Sequence, residues 1–153
     1  MKFSDLVIVV LLCIDANASH IVGGQFQMTR IGDQEYKVDL IVYFDLVNGN
    51  PASRDLIAIA RVFRHSDGAK MTDLLLRLTD EQPVNHLQPE CETGLSSISR
   101  IRYSGYLPLT SAYDDPDGYY IVWERCCRNY GLTNVKSSDP SLGGIYAGQT
   151  FFI

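Results

Sequence analysis

Apolar and polar residues alternate with a period of two along most of this chain, the pattern of strands with one face buried. The clearest stretch is 35–46. Tyr36, Val38, Leu40, Val42 and Phe44 fall on one face, while Lys37, Asp39 and Asp45 share the other with Ile41 and Tyr43. Asn48-Gly49-Asn50-Pro51 follows as a strong turn signal. A second strand is expected over Leu56–Arg64, closed by Ser66-Asp67-Gly68, and a third over Thr72–Thr79. Residues 81–96 hold Pro83, Asn85, Pro89 and Gly94 and read as a loop. Alternation resumes over Ile98–Leu107, with Ile101, Tyr103 and Leu107 on one face and Arg100, Arg102 and Ser104 on the other. The turn Asp114-Asp115-Pro116-Asp117-Gly118 leads into a strand over Tyr119–Cys127 rich in β-forming residues. A polar loop, 137–144, precedes a last strand over Ile145–Ile153, and Gln25–Ile31 adds one near the start. About seven short strands with turns between them and no helix predict an all-β, antiparallel immunoglobulin-like β-sandwich.

The first residues break this pattern. Lys2 is followed by nine consecutive apolar residues, Leu6–Ile14, and then by Ala16-Asn17-Ala18, a small-x-small cleavage motif. Residues 1–18 therefore read as a secretory signal peptide, too short in its apolar run to span a membrane, and residues 19–153 as one domain. Removing the leader takes Lys2, Asp5 and Asp15 with it and changes the net charge from -5 to -4. An acidic balance argues against general attraction to nucleic acid or anionic lipid. The expected location is secreted or cell-surface, with no transmembrane segment in the mature chain. The chain stops at Phe151-Phe152-Ile153, inside an expected strand, which reads as the first module of a longer protein.

Export makes the cysteines disulfide candidates: Cys91, Cys126 and Cys127 remain after the leader is lost. Adjacent strand residues point to opposite faces, so a Cys126–Cys127 bond is disfavoured and one of the two is expected to reach Cys91. The same adjacency is a poor match to zinc-ligand spacing.

Other residues carry candidate chemistry. Asp114, Asp115 and Asp117 cluster oxygen ligands that calcium favours, although a solvated hairpin turn uses the same residues for backbone geometry and is the preferred reading. Arg100 and Arg102 project from one strand face and offer guanidinium forks to an acidic glycan or to carboxylates of a partner protein. The alternative is a solvated sheet face. Tyr113, beside the acidic turn, is expected to be exposed and is a candidate ligand contact; Tyr103, Tyr106, Tyr119, Tyr120 and Trp123 complete an aromatic set that serves either a sugar platform or the core. Trp123 is assigned to the core. Arg125, on the same side of its strand as Trp123, calls for a partner acid. Catalytic residues are expected to be none: His20, His65 and His86 sit at the new N-terminus or in turns and loops, and no nucleophile elbow, His-Glu-x-x-His or phosphate-binding glycine loop is present.

Three segments together carry a resemblance. Ser19-His20-Ile21-Val22-Gly23-Gly24, Leu40–Asp45 leading into an Asn-Gly turn, and Gly118–Asn129 with its Arg125-Cys126-Cys127-Arg128-Asn129 run resemble the N-terminal domain of large secreted Bacteroidetes surface proteins, many of them gliding-motility-associated or adhesin-like. That resemblance implies export by the type IX route, a cell-surface setting and further immunoglobulin-like or PKD-type repeats as neighbours in the same polypeptide. It implies no catalytic residue. Related sequences tend to carry cysteines where this chain has Arg30, Leu46 and Ser97, so at least one usual disulfide cannot form here. The function expected is a non-enzymatic module for display or contact. The alternative is a glycan-binding domain, calcium-assisted through Tyr113 and the Asp114–Asp117 turn.

Overall fold

The computed structural model describes residues 21–47, 49, 54–84, 97–125 and 145–152. The residues of the expected leader, all four cysteines, residues 85–96 and 137–144, which the sequence reads as loops, and residues 50–53 of the expected Asn-Gly turn region lie outside the described residues.

Seven strands make up most of the described chain: β1 (Ile21–Gly32), β2 (Glu35–Asp45), β3 (Ile57–Arg64), β4 (Lys70–Pro83), β5 (Ile98–Pro108), β6 (Tyr119–Arg125) and β7 (Ile145–Phe151). Every pairing is antiparallel, in the order β1-β2-β5-β4-β3-β6-β7. The all-β sandwich expected from the sequence is thus present. β1-β2-β5-β4 correspond to one layer of an immunoglobulin constant-type sandwich and β3-β6-β7 to the other, with the β3–β4 hairpin joining them into one folded sheet. The β3-β4-β5 meander is flanked by β2 on one side and β6 on the other, which makes two overlapping Greek keys. The terminal strands β1 and β7 run in the same direction and meet across the core.

Period-two patterning explains the interior. Val38, Leu40, Val42 and Phe44 of β2 face Ala58, Ala60 and Val62 of β3, with Leu76, Ile101, Tyr119, Ile121, Trp123 and Phe151 closing the cluster. Burial of such side chains stabilises by about 1.5–3 kcal/mol each and outweighs any local preference. Trp123 is core, as its position suggested, but it stands on the strand equivalent to F, whereas antibody domains carry their core tryptophan on strand C. A second hallmark is met. Tyr119, fully buried at the start of β6, accepts a hydrogen bond through its hydroxyl from the backbone N–H of Asp115 at 2.9 Å, the arrangement of a tyrosine corner.

Two strands are longer than the sequence pattern indicated. β1 begins at Ile21 and runs through Gly23 and Gly24. A Cβ at Gly24 would meet the Ile41 carbonyl oxygen at 3.4 Å and Ala147 Cβ and Trp123 Cζ3 at 3.8 Å, ordinary contact distances, so β1 packs here beside β6 and β7. β4 continues to Pro83, through residues that read as loop. A bulge at Thr79 explains this: Leu78 pairs with Tyr103 and Asp80 with Arg102, so one extra residue resets the alternation. Beyond the bulge Glu81 turns to the core side and Asp80 and Gln82 to the outside, and the apolar signal disappears although pairing persists.

Candidate functional site

The outer face of β2, β5 and β4 carries the most concentrated chemistry among the described residues. Register brings its members together from three distant segments. Asp39 pairs with Ser104, Lys37 with Tyr106, and Ile41 with Arg102 across β2 and β5; Arg77 pairs with Ser104 and Gln82 with Arg100 across β4 and β5. The result is a wide, shallow groove lined by Lys37, Arg77, Asp80, Arg100, Arg102 and Tyr106 over a hydroxyl floor of Thr79 and Ser104. Those two hydroxyls lie 2.9 Å apart.

Asp39 organises the groove. It is 4% exposed although it points away from the core. Its Oδ1 accepts a hydrogen bond from the Ser104 hydroxyl at 2.5 Å, and its Oδ2 lies 3.2 Å from Lys37 Nζ and 3.7 Å from Arg102 Nη1. A carboxylate so placed needs those cations, and in turn it fixes their side chains. Arg100 sits 3.8 Å from Asp80, beyond hydrogen-bond range. Nε of Arg102 is buried with no hydrogen-bond partner among the described residues.

Arg100 and Arg102, singled out by sequence parity, are therefore together on this face. Tyr113 is not with them. It stands at the far edge of β4 and β5, beside Leu107 and Pro108, its ring 4.9 Å from that of Tyr119. It is half-buried, not freely exposed, because the Asp115–Tyr119 corner folds the loop onto the core. Burial, reinforced by the Tyr119 phenol, pushes its hydroxyl above the usual tyrosine pKa.

Asp114, Asp115 and Asp117 remain on one turn, but Asp115 is engaged within the protein. Its Oδ1 accepts the N–H of Asp117 at 2.9 Å and its Oδ2 accepts the hydroxyl of Ser66. The Ser66 hydroxyl, then the Asp117 N–H, with smaller contributions from Arg64 and His65, hold its carboxyl below the ordinary value. Among the described residues no three His, Cys, Asp or Glu side chains converge as a metal-ligand set. The turn geometry itself is that of a helper residue for β6: Gly118 has φ +79° and its N–H donates to the Asp115 carbonyl.

At the opposite end, charge closes the core under the long connections. Arg54 Nη1 meets Glu81 Oε1 at 2.5 Å, Ser99 Oγ donates to the same oxygen at 2.9 Å, and the Arg54 guanidinium lies 5.7 Å from the centre of the Phe44 ring. Arg125 finds the acid its position demanded in Asp55. Tyr103 lies beneath this cluster; burial first and Glu81 second raise its pKa, against an opposing pull from Arg54.

Neither the residues Asp39, Asp80, Lys37 and Arg77 nor the Arg54–Glu81–Ser99 set was singled out as a site from the sequence. Each owes its place to pairings between segments up to 65 residues apart, for which a single sequence carries no local signal. A smaller aromatic patch lies on the other outer face, where Phe63 stacks on Tyr120 at 5.3 Å and His65 meets the same ring edge-on at 5.8 Å. No family model, no curated protein and no solved structure matches this chain. No helix among the described residues is long and apolar enough to cross a membrane.

Proposed function

We propose that this chain is a non-enzymatic, exported module of a surface or secreted adhesin-type protein, and that the groove on β2, β5 and β4 is its contact surface. The observation that carries the reading is the groove itself: cations held by a buried carboxylate on an otherwise acidic molecule, exposed on the flat side of a rigid sandwich. Rigid strands hold side chains more firmly than loops do. The groups in the groove bind and orient; His65, the single described histidine, is on the other outer face and leaves the groove hydroxyls without an imidazole base. The signal-like leader and the resemblance to Bacteroidetes surface proteins support a setting outside the cytoplasm, beside further domains of the same polypeptide.

The test is an adhesion measurement. Beads coated with the exported protein are expected to attach to isolated bacterial envelopes. Attachment should fall several-fold for the double variant Arg77→Ala/Arg100→Ala and persist for Tyr146→Ala on the opposite layer. Attachment of the double variant at the level of the unmodified protein would overturn the groove as the contact surface. Failure of the unmodified protein to attach would overturn the contact role.

A further inference from the structure

We infer that the groove takes an anionic saccharide, a chain of sugars bearing carboxylates or sulfates, laid along β5. This rests on the contact reading above and adds the ligand's chemistry. The first argument is charge. Lys37, Arg77, Arg100 and Arg102 line the groove against Asp80, and even with the buried Asp39 beneath them the cations outnumber the carboxylates, in a chain of net charge -5. The local field is opposite in sign to that of the whole molecule, so it attracts anionic groups.

The second argument is the donors left over. Arg77 makes no ion pair or side-chain hydrogen bond among the described residues, and it is exposed. Arg100 and Arg102 stand 3.8 Å and 3.7 Å from their carboxylates, too far for hydrogen bonds, so their N–H groups stay available for a planar oxyanion. Arg100 and Arg102 occupy alternate positions of one strand, about 7 Å apart along it, so they meet successive charges of a repeating ligand. Asp39 pre-positions Lys37 and Arg102, which lowers the ordering cost of binding.

The third argument separates sugar from peptide. β2, β5 and β4 are interior strands whose backbone groups are committed to neighbours on both sides, so a peptide cannot add to them as a strand. What the surface presents instead is hydroxyls, an amide and a ring: Thr79 and Ser104 on the floor, Gln82 at one end and Tyr106, 58% exposed, at the other. Hydroxyl and amide groups match sugar hydroxyls, and an exposed ring matches a sugar's C–H face.

The test measures binding of the whole exported chain by calorimetry to four probes: oligogalacturonate, dextran sulfate, neutral dextran and polyglutamate. Binding to oligogalacturonate or dextran sulfate is expected, weakening at high salt, and the two arms tell carboxylate from sulfate. Arg77→Ala should weaken it roughly tenfold without moving the melting temperature. Tyr106→Ala should weaken saccharide binding as well. Polyglutamate or neutral dextran binding as tightly as either anionic saccharide would overturn the inference, as would unchanged affinity in Arg77→Ala. If bead attachment to envelopes depends on the groove while no anionic saccharide binds, the ligand class fails and the contact reading stands. If attachment ignores the groove, the contact reading itself fails.

Discussion

The two ends of the sandwich are closed by different chemistry. At the end where β1 meets β2, β3 meets β4 and β5 meets β6, the connections are short or folded back on themselves. Gly68 N–H donates to the Arg64 carbonyl, Ala69 N–H to Asp67 Oδ1, and the Tyr119 hydroxyl and Asp115 carboxylate hold the last turn. Within each turn the partners lie within five residues of each other, while the Ser66 hydroxyl on Asp115 and the His65 N–H on the Gly118 carbonyl tie two of the turns together. At the far end Asp45 also holds a local turn through Val47 and Gly49, but the charged partners are Arg54 with Glu81, Ser99 with Glu81, and Asp55 with Arg125, separated by 18 residues at the least. Local hydrogen bonds form as soon as a hairpin does. Long-range ion pairs form only after the layers have met. Each turn at the first end is thus encoded locally, and the ion pairs at the far end depend on the finished fold.

If that contrast is right, the largest effect should come from the turn end's backbone. Gly118 adopts φ +79°, and a Cβ there would stand 2.8 Å from the Phe151 carbonyl oxygen and 2.7 Å from the Phe152 ring. Gly118→Ala should cost about 2–4 kcal/mol in chemical denaturation; a change under 0.5 kcal/mol would break the comparison. Next comes the far end. Glu81→Ala removes the acceptor shared by Arg54 and Ser99, but both ionic groups are about a third exposed, at 32% and 33%, so screening limits the loss to about 1 kcal/mol. Raising the salt concentration should shrink that difference, which no local hydrogen bond would do.

The smallest effect sharpens the comparison through pH. Asp115 has a folded-state pKa below its unfolded value, chiefly through the Ser66 hydroxyl. Its contribution is therefore complete above the ordinary carboxylate range and is lost as pH falls through the depressed value. Ser66→Ala should lower stability slightly at neutral pH, and the gap from the unmodified protein should close on acidification. A gap that widens at low pH would reverse the sign and refute the assignment.

How much of this was legible in the sequence divides along the same line. Strand parity placed Val38, Leu40, Val42 and Phe44 inside and Arg100 and Arg102 outside, because alternation is a local signal. Asp-Gly turns marked the corners before β4 and β6. The second half of β4 was hidden by the Thr79 bulge, which swaps the faces of Asp80 and Glu81 in mid-strand. The groove was visible only as two arginines. Asp39, the carboxylate that anchors Arg102 and Lys37, lies on a strand whose partner is chosen by topology, and its outward parity gave no hint that it would be covered. Tyr113 was expected to stand exposed beside the acidic turn; the Tyr119 corner instead presses it against the core.

One feature of the topology bears on load. β1 starts at the far end and β7 finishes at the turn end, so the described chain enters at one pole of the domain and leaves at the other, about 35 Å away along the strands. A pull applied through Ile21 and Phe152 would act lengthwise on β1 and β7. The β1–β2 and β6–β7 ladders would then resist it in shear, with many hydrogen bonds loaded together instead of one after another. Coupled end to end to neighbours, such a unit would bear tension like a link in a chain while its flat side stays free to hold a surface.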